Sequence, residues 1–227
     1  MYYLDWTMIF VIPGLLLGLY AQWKVQSSFK KYSKVKTTSG RSANEIARAL
    51  LNSTHCDAVN ISAISGSLTD HYDPRSNTLR LSDDVNGSTS VAAIGVAAHE
   101  CGHAMQQKQG YAPLKLRSAL VPVVNLGSNL YFPIFLAGML FSWSPLIYVG
   151  IACFALSLVF SLVTLPVEFN ASNRAMAALT SGGYLSQEEL KGARTVLNAA
   201  ALTYVAAAVS SLLQLVRLLV ISRNRRD

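Results

Sequence analysis

Four long apolar runs alternate with polar stretches along this chain of 227 residues. A helix needs about 20 apolar residues to cross the ~30 Å core of a bilayer. The runs that meet this length are residues 4–23, 120–141, 145–165 and 196–221. Gln214 and Arg217 interrupt the last run, so it is either a fourth span or a long helix packed against the others. The pattern predicts a mainly α integral membrane protein with about four transmembrane helices.

Shorter patterns of apolar and polar residues between the first and second runs predict a small α+β soluble portion. Ser42 followed by Glu45 is the capping-box pattern that begins a helix. Residues 59–64 alternate apolar with small or polar side chains, which is typical of a strand. Two extended segments then flank the turn-forming residues 73–77, so we expect a β-hairpin whose second strand is residues 78–82.

These patterns divide the chain into five consecutive segments. They are a first transmembrane helix (1–23), a soluble portion (24–117), a transmembrane hairpin (118–165), a polar segment (166–195) and a fourth transmembrane helix with a basic tail (196–227). Five lysines and no acidic residue lie in residues 24–36, which we expect to form a solvated linker. By the positive-inside rule this linker lies in the cytoplasm and the N-terminus lies outside. If all four runs cross, the basic tail lies outside, against the same rule.

Composition and charge agree with a membrane protein. Charged residues make up 14% of the chain, against about 25% in ordinary soluble domains, and 52% of the residues are hydrophobic. Many of the positive charges behind the net charge of +7 flank the apolar runs, without interleaved aromatic residues. The basic balance therefore indicates contact with the membrane surface rather than with nucleic acid. Three cysteines without a Cys-x-x-Cys pair predict no disulfide framework and a reducing environment.

The soluble portion ends in an Ala- and Val-rich helix that carries a His-Glu-x-x-His motif. His99 and His103 are four residues apart, so on a helix both imidazoles project from one face. That spacing lets both bind one Zn²⁺ while further coordination positions stay open. Glu100 is rotated by about 100° and can reach a metal-bound water without being a ligand. This is the place of a general base, and the motif predicts that the α+β soluble portion is zincin-like.

A chance match to so short a motif is the alternative. Two of the four histidines of the chain fall at this spacing, however, and burying them on an apolar helix is costly without a partner such as a metal. Cys101 lies about 200° round the helix from His99, so we expect it to point away from the metal and to pack. The helix is expected to be capped by Ser88 or Thr89 and to end near Lys108.

A zinc site needs a third protein ligand, and the sequence offers several candidates. They are Asp70, His71, Asp73, Asp83, Asp84, Glu168, Glu188 and Glu189. Asp73 precedes a proline and is expected to form the turn, and Glu188 and Glu189 suit the first turn of a helix. Glu168 directly follows the transmembrane hairpin, whose two crossings return the chain to the side of the histidines. A carboxylate among apolar neighbours at the membrane edge needs a partner, so Glu168 is the predicted third ligand.

Four segments of the chain together resemble a known family. They are residues 71–75 (His-Tyr-Asp-Pro-Arg), 79–82 (Leu-Arg-Leu-Ser), 97–104 (Ala-Ala-His-Glu-Cys-Gly-His-Ala) and 165–172 (Leu-Pro-Val-Glu-Phe-Asn-Ala-Ser). Over essentially its whole length the chain resembles the bacterial membrane zinc metallopeptidases of the YugP type, a neutral zinc peptidase family. The resemblance implies zinc ligands at His99, His103 and Glu168 and a catalytic base at Glu100. It extends to the wider HtpX-like and CAAX-protease group, in which an aspartate stands at the place of Ser172.

The expected activity is that of a membrane-bound zinc-dependent endopeptidase, in which a metal-activated water is deprotonated by Glu100. The strand at residues 78–82, with Leu79 and Leu81, is a candidate to bind an extended substrate by strand addition. Its alternative role is a sheet edge that covers the core. His71 is a candidate to stabilise the oxyanion, or else packs against the turn.

The expected location is the bacterial cytoplasmic membrane, with several spans and an active site that faces the cytoplasm. The expected partners are a peptide or protein substrate, membrane proteins included, and membrane lipid, but not nucleic acid. A membrane partner or a homo-oligomer is left open. Two other classes also stay open, a non-proteolytic membrane assembly or regulatory protein with a structural zinc, and a metal-dependent hydrolase of a non-peptide amide. Glu100 speaks against a structural zinc, since such a site has no use for a base.

Overall fold

The computed structural model describes residues 6–223, so predicted positions 1–5 of the first span and 224–227 of the basic tail lie outside the described residues. A short 3-10 helix precedes the first α-helix. In chain order the elements are the 3-10 helix Trp6–Phe10, α1 (Val11–Tyr32), α2 (Ala43–Ser53), β1 (Asn60–Ile64), β2 (His71–Asp73), β3 (Thr78–Ser82), α3 (Val91–Lys108), α4 (Ala112–Leu140), α5 (Ser144–Ser181) and α6 (Gln187–Arg223).

Four helical segments of the described chain are long and apolar enough to cross a membrane. They are Trp6–Tyr32, Ala112–Leu140, Ser144–Ser181 and Gln187–Arg223. No more than 22% of the residues in the apolar stretch of each are buried within the protein. Apolar surface of this extent is costly in water and favourable in lipid. The predicted class, a mainly α membrane protein with a small α+β portion, is confirmed.

Helix α1 extends further than the predicted first span. It continues through Lys24, Lys30 and Lys31 to Tyr32, so the first part of the basic segment is helical and not a linker. Phe29 and Tyr32 pack against a buried hydrophobic core, and this packing stabilises the additional turns. The expectation of a solvated linker from residue 24 onward is therefore wrong.

The chain folds into two compact units, each built from segments that are distant in sequence. The described residues within 1–22, 115–166 and 202–227 form the helical unit, and residues 23–114 and 167–201 form the sheet unit. Helix α5 supplies its last part, from Val167, to the sheet unit, and α6 supplies its first part. All candidate site residues belong to the sheet unit.

Helices α4 and α5 approach closely within the helical unit. A Cβ atom added at Gly138 would lie 2.6 Å from the backbone N of Ile147, and one at Gly150 would lie 2.8 Å from Cα of Phe135. Glycines at such crossings let apolar helices pack backbone to backbone. Beside this crossing lies a core of Phe135, Ile147, Ile151 and Phe154, to which α6 adds Leu218.

The sheet unit contains a three-stranded sheet in the order β1-β3-β2. Strand β1 pairs with β3 in parallel, and β2 pairs with β3 antiparallel. The predicted strand and the predicted hairpin are both present. Leu79 and Leu81 of β3 are fully buried in the core that the sheet shares with α2 and α3.

Polar side chains cap both helices of this core. Ser42 and Glu45 form the predicted capping box of α2, in which the Glu45 carboxylate accepts a hydrogen bond of 2.7 Å from the Ser42 N–H. The cap of α3 is Ser90, whose hydroxyl accepts from the N–H of Ala93, and not Ser88 or Thr89 as predicted. A short antiparallel bridge between Lys36 and Ser90 keeps the backbone extended up to Ser90, so the cap lies one residue after Thr89 and two after Ser88.

Candidate metal centre

Helix α3 presents the two motif histidines side by side. The ring centroids of His99 and His103 are 4.8 Å apart, and the rings meet edge to face. Their side chains retain 14% and 12% exposure, so the imidazoles are largely buried. Cys101, between them in sequence, is buried against Ala47 on the other side of the helix, as predicted.

Helix α5 places Glu168 opposite the two histidines. Oε2 of this carboxylate lies 3.3 Å from Nε2 of His99 and 3.6 Å from Nε2 of His103. Among the described residues, His99, His103 and Glu168 form a group that could hold a metal ion. Their ligand atoms all lie within 4.8 Å of one another. Glu168 is 2% exposed.

These distances suit a tetrahedral zinc ion. Two ligand atoms that each lie about 2.0–2.1 Å from such an ion are about 3.3–3.4 Å apart. Two neutral imidazoles and one carboxylate are also a ligand set that zinc takes in catalytic sites, with one position left for water or substrate. The donor set and its spacing therefore fit the cofactor that the sequence predicts.

The second nitrogen of each imidazole has a polar partner. Nδ1 of His99 lies 3.1 Å from the hydroxyl of Ser172, and Nδ1 of His103 lies 3.1 Å from Oε1 of Gln106. Such contacts at Nδ1 orient the rings of metal-binding histidines and leave Nε2 as the ligand atom. The contact of His99 is thus with a hydroxyl, where the resemblance to the wider HtpX-like and CAAX-protease group implied an aspartate.

The electrostatics of the site favour positive charge. Burial of the ring lowers the pKa of His103, but a hydrogen bond with Glu168 and the charges of Glu100 and Glu168 outweigh this effect. The pKa of His103 consequently lies above its ordinary value. A site that stabilises a proton on a buried imidazole in this way also stabilises a cation bound between the same groups.

Strand β2 holds the candidate base. The backbone N–H of Tyr72 donates a hydrogen bond of 3.0 Å to Oε2 of Glu100. Glu100 is 9% exposed, and it lies on the same helix as the two histidines without joining their donor group. Strand β2 therefore holds one oxygen of this carboxylate, and the role of Glu100 as a base stays a prediction.

The other candidate carboxylates have hydrogen-bond or ion-pair partners outside the donor group. Asp70 accepts two hydrogen bonds of 2.7 Å from the N–H and the hydroxyl of Ser82. Asp73 forms its turn by accepting from the hydroxyl of Ser76 and the N–H of Arg75, and these bonds hold its pKa below the ordinary value. The remaining carboxylates bind the N–H of Gly66 (Asp83), the hydroxyl of Ser67 (Asp84), Lys191 (Glu188), and the N–H groups of Thr38 and Ser186 (Glu189).

Strand β3 does not have the position that the substrate hypothesis needs. It is the central strand, with β1 along one side and β2 along the other, so the expected strand addition to Thr78–Ser82 is wrong, and so is the alternative of a sheet edge. The side chains of Leu79 and Leu81 are fully buried in the core and offer no surface to a peptide. Parallel pairing of β1 with β3 closes the edge that the hairpin alone would leave open.

His71 lies outside the donor group. It pairs with Arg80 across the hairpin, so both side chains lie on the face of the sheet opposite to Tyr72 and Leu79. Nδ1 of His71 is 2.9 Å from the carbonyl oxygen of Thr69, and Nε2 is 3.4 Å from the Arg80 guanidinium. These contacts favour the packed role of His71, and its part in substrate binding stays a prediction.

Sequence reasoning missed three residues of the site, Tyr72, Gln106 and Asn170. Tyr72 acts through its backbone, which carries no side-chain signal. Gln106 follows His103 by three residues, so the two side chains lie on the same face of the helix. This spacing could have predicted that Gln106 contacts His103. Asn170 accepts a hydrogen bond from Gln106, and only the crossing of α3 and α5 brings the two together.

Comparison with known proteins shows the family of this chain. The chain matches, over residues 7–223, the family described as "Putative neutral zinc metallopeptidase", and it belongs to that family. One relative is the protein named "Putative membrane protease YugP" from Bacillus subtilis (strain 168), which is 47% identical over 216 residues. The alignment covers 95% of this chain and 96% of the relative. No solved structure matches the chain.

Proposed function

We propose that this protein is a membrane-bound zinc endopeptidase in which His99, His103 and Glu168 hold the metal and Glu100 is the general base. The observation that carries the proposal is the convergence of three donor atoms from α3 and α5 at zinc spacing, with Glu100 beside them. Membership in a zinc metallopeptidase family and the protease name of the relative support the same conclusion.

Zinc bound at this site supplies Lewis acidity, which polarises the carbonyl of the scissile peptide bond and acidifies water. The chain supplies the proton transfer. The N–H of Tyr72 holds Oε2 of Glu100, which leaves Oε1 to take a proton from the attacking water. Glu100 then gives this proton to the nitrogen of the leaving peptide as the carbon–nitrogen bond breaks.

The substrate main chain lies along the outer edge of β2 rather than at β3. His71 and Asp73 pair with β3, and the N–H of the intervening Tyr72 points in the opposite direction, toward Glu100. The outer edge of β2 therefore borders the candidate base. An extended peptide beside this edge brings its backbone to the metal ligands without displacing a strand of the sheet, while the N–H of Tyr72 stays with Glu100.

The protein acts from the bacterial cytoplasmic membrane, with the site facing the cytoplasm. The four apolar helices support the membrane location, and the lysine-rich end of α1 supports the orientation. A site carried by a membrane-spanning chain meets membrane proteins and peptides at the bilayer surface. These are the substrates that we propose.

The test compares the full-length protein with its Glu100→Gln variant after purification and reconstitution in lipid. Both are incubated with bacterial membrane proteins, and new peptide ends are identified by mass spectrometry. Glu188→Gln is the matched control, because this exposed carboxylate pairs with Lys191 outside the site. We expect new ends with the wild type and with Glu188→Gln, and none with Glu100→Gln, although all three retain zinc.

Equal cleavage by the Glu100→Gln variant would show that Glu100 is not the base. Stoichiometric zinc without cleavage by the wild type would favour the non-proteolytic alternative.

A further inference from the structure

A cavity of about 200 Å³ lies in the sheet unit, next to the strand that holds Glu100. It is bordered by the loop between α2 and β1, by the hairpin, and by the last turns of α3. The residues that line it are His55, Cys56, Ala58, Val59, Tyr72, Asn77, Ala104, Gln107 and Lys108. Sites for drug-sized ligands have volumes of about 300–1,000 Å³, so a cavity of this size suits a single side chain.

Tyr72 and helix α3 connect the cavity to Glu100. The backbone N–H of Tyr72 donates to Glu100, and the same tyrosine lines the cavity. Ala104 and Lys108 follow Glu100 by four and eight residues, so they continue the face of α3 on which Glu100 lies. Four helical residues rise by about 6 Å, and successive residues of an extended peptide are about 3.3 Å apart. A peptide cut beside Glu100 therefore has a side chain at the cavity within about two residues of the broken bond.

Hydrogen bonds hold the ring of Tyr72 as one wall of the cavity. Its hydroxyl donates a bond of 2.8 Å to Oδ1 of Asn77, and Nδ2 of Asn77 donates one of 2.9 Å to the carbonyl oxygen of Ala58. Asn77 has a φ of 49°, a left-handed conformation that asparagine adopts more readily than most residues. All three residues line the cavity, so its wall is in place without a ligand.

The inner lining of the cavity is apolar, and most of its polar side chains are exposed to water. The buried lining residues are Cys56, Val59 and Ala104, and the exposed ones include His55, Gln107 and Lys108. An exposed ammonium attracts a carboxylate only weakly, whereas burial of a large apolar side chain is favourable in proportion to the area removed from water. The lining therefore favours an apolar occupant over an acidic one.

We propose that this cavity binds a large apolar side chain of the substrate, such as phenylalanine or leucine, and thereby selects which peptide bonds are cut. The main chain of the peptide lies beside the outer edge of β2, and one of its side chains enters the cavity. The small side chain of Ala104 leaves the space that this group fills. The inference rests on the proposed function in taking a peptide as the substrate.

The experiment measures peptide binding separately from cleavage. Full-length Glu100→Gln protein is reconstituted in lipid with zinc, and fluorescence gives its dissociation constants for labelled peptide mixtures. One position of each mixture is fixed as phenylalanine, leucine, alanine or glutamate, and the others are randomised. Ala104→Leu in the same protein fills the cavity from α3, and Ala58→Leu narrows it from the loop before β1. Ala177→Leu is the matched control, because this exposed alanine of α5 does not line the cavity.

We expect the phenylalanine and leucine mixtures to bind about 10-fold more tightly than the alanine mixture, because the cavity removes their apolar surface from water. Ala104→Leu should abolish most of this preference, and Ala177→Leu should retain it. Ala58→Leu should also reduce it, which keeps the test decisive if Ala104→Leu fails to fold. Peptides with photoreactive benzoylphenylalanine at the fixed position should cross-link within residues 55–59 or 104–108.

The proposal would be overturned by equal or absent binding of all mixtures, by tightest binding of the glutamate mixture, or by a preference that both cavity variants retain. Cross-links that lie only outside the cavity would contradict it as well. Failure of the proposed function has a different result, in which the wild type binds these peptides with the same preference but cuts none of them.

Discussion

Gly102 of α3 and Ala171 of α5 meet in direct backbone contact. A Cβ atom added at Gly102 would lie 3.1 Å from Cα of Ala171 and closer still to its carbonyl oxygen. Gly102 precedes His103, and Ala171 lies between Glu168 and Ser172 in sequence. Only glycine at position 102 lets α3 and α5 come this close. This close packing sets the distance between the histidines on α3 and Glu168 on α5.

Gly102→Ala should separate α3 from α5 and weaken zinc binding at least 10-fold, with a loss of stability of about 1–3 kcal/mol, as is typical of overpacking. Zinc content after dialysis and the midpoint of thermal unfolding measure the two effects. Gly95→Ala on the same helix is the control, since its added Cβ would meet Ala193 at an ordinary 3.4 Å. Equal zinc retention by both variants would show that the crossing does not set the site.

Glu168→Gln should lose most of the bound zinc. The amide is close in size to the carboxylate but lacks the negative charge that binds the cation. Asp70→Asn and Asp73→Asn should keep wild-type zinc content, since both carboxylates are engaged in capping Ser82 and the β2–β3 turn. Metal analysis of the purified proteins decides the matter. Zinc that persists in the Glu168 variant but is lost from either aspartate variant would place the third ligand on the hairpin.

Removal of zinc with a chelator should lower the thermal stability of the wild type, because its proposed ligands join α3 to α5. Binding at a free concentration 100 times the dissociation constant stabilises a folded protein by about 2.7 kcal/mol. Calorimetry of the detergent-solubilised protein with and without chelator measures the change. Glu168→Gln should show little difference between the two conditions, and an equal loss in this variant would indicate that the chelator acts elsewhere.

Ser172→Ala should weaken zinc binding about 10-fold through loss of the contact at Nδ1 of His99. Ser172→Asp should restore much of the affinity, since a carboxylate accepts from Nδ1 more strongly than a hydroxyl. Chelator competition compares the three proteins. Identical affinities would mean that the hydroxyl does not orient the ring.

Single cysteines placed in residues 30–36, near Gly110 and near Gly182 should all react with a membrane-impermeant reagent from the cytoplasmic side only. The background for this labelling replaces the three native cysteines, of which Cys56 and Cys101 are buried. Reaction in intact cells at any of these positions would contradict the proposed orientation. A cysteine in the described end of α6, near Arg223, additionally tests whether the last helix crosses the membrane.

Local patterns in the sequence were sufficient for the elements of the site. The four-residue spacing of His99 and His103 dictates a shared helical face because the helical period is a local property of the backbone. The capping box at Ser42 and the apolar lengths of the spans follow from interactions within one turn or one segment. These predictions needed no knowledge of which elements are neighbours.

Only the tertiary structure determines which strands and helices are neighbours. Parallel pairing of β1 with β3 places β3 at the centre of the sheet, which moves the proposed peptide edge to β2. The contact between Gly102 and Ala171 brings Gln106 to Asn170, more than sixty residues away in sequence. Such partners depend on how helices and strands cross, and the crossing is set by the packing of the whole core rather than by the residues near the motif.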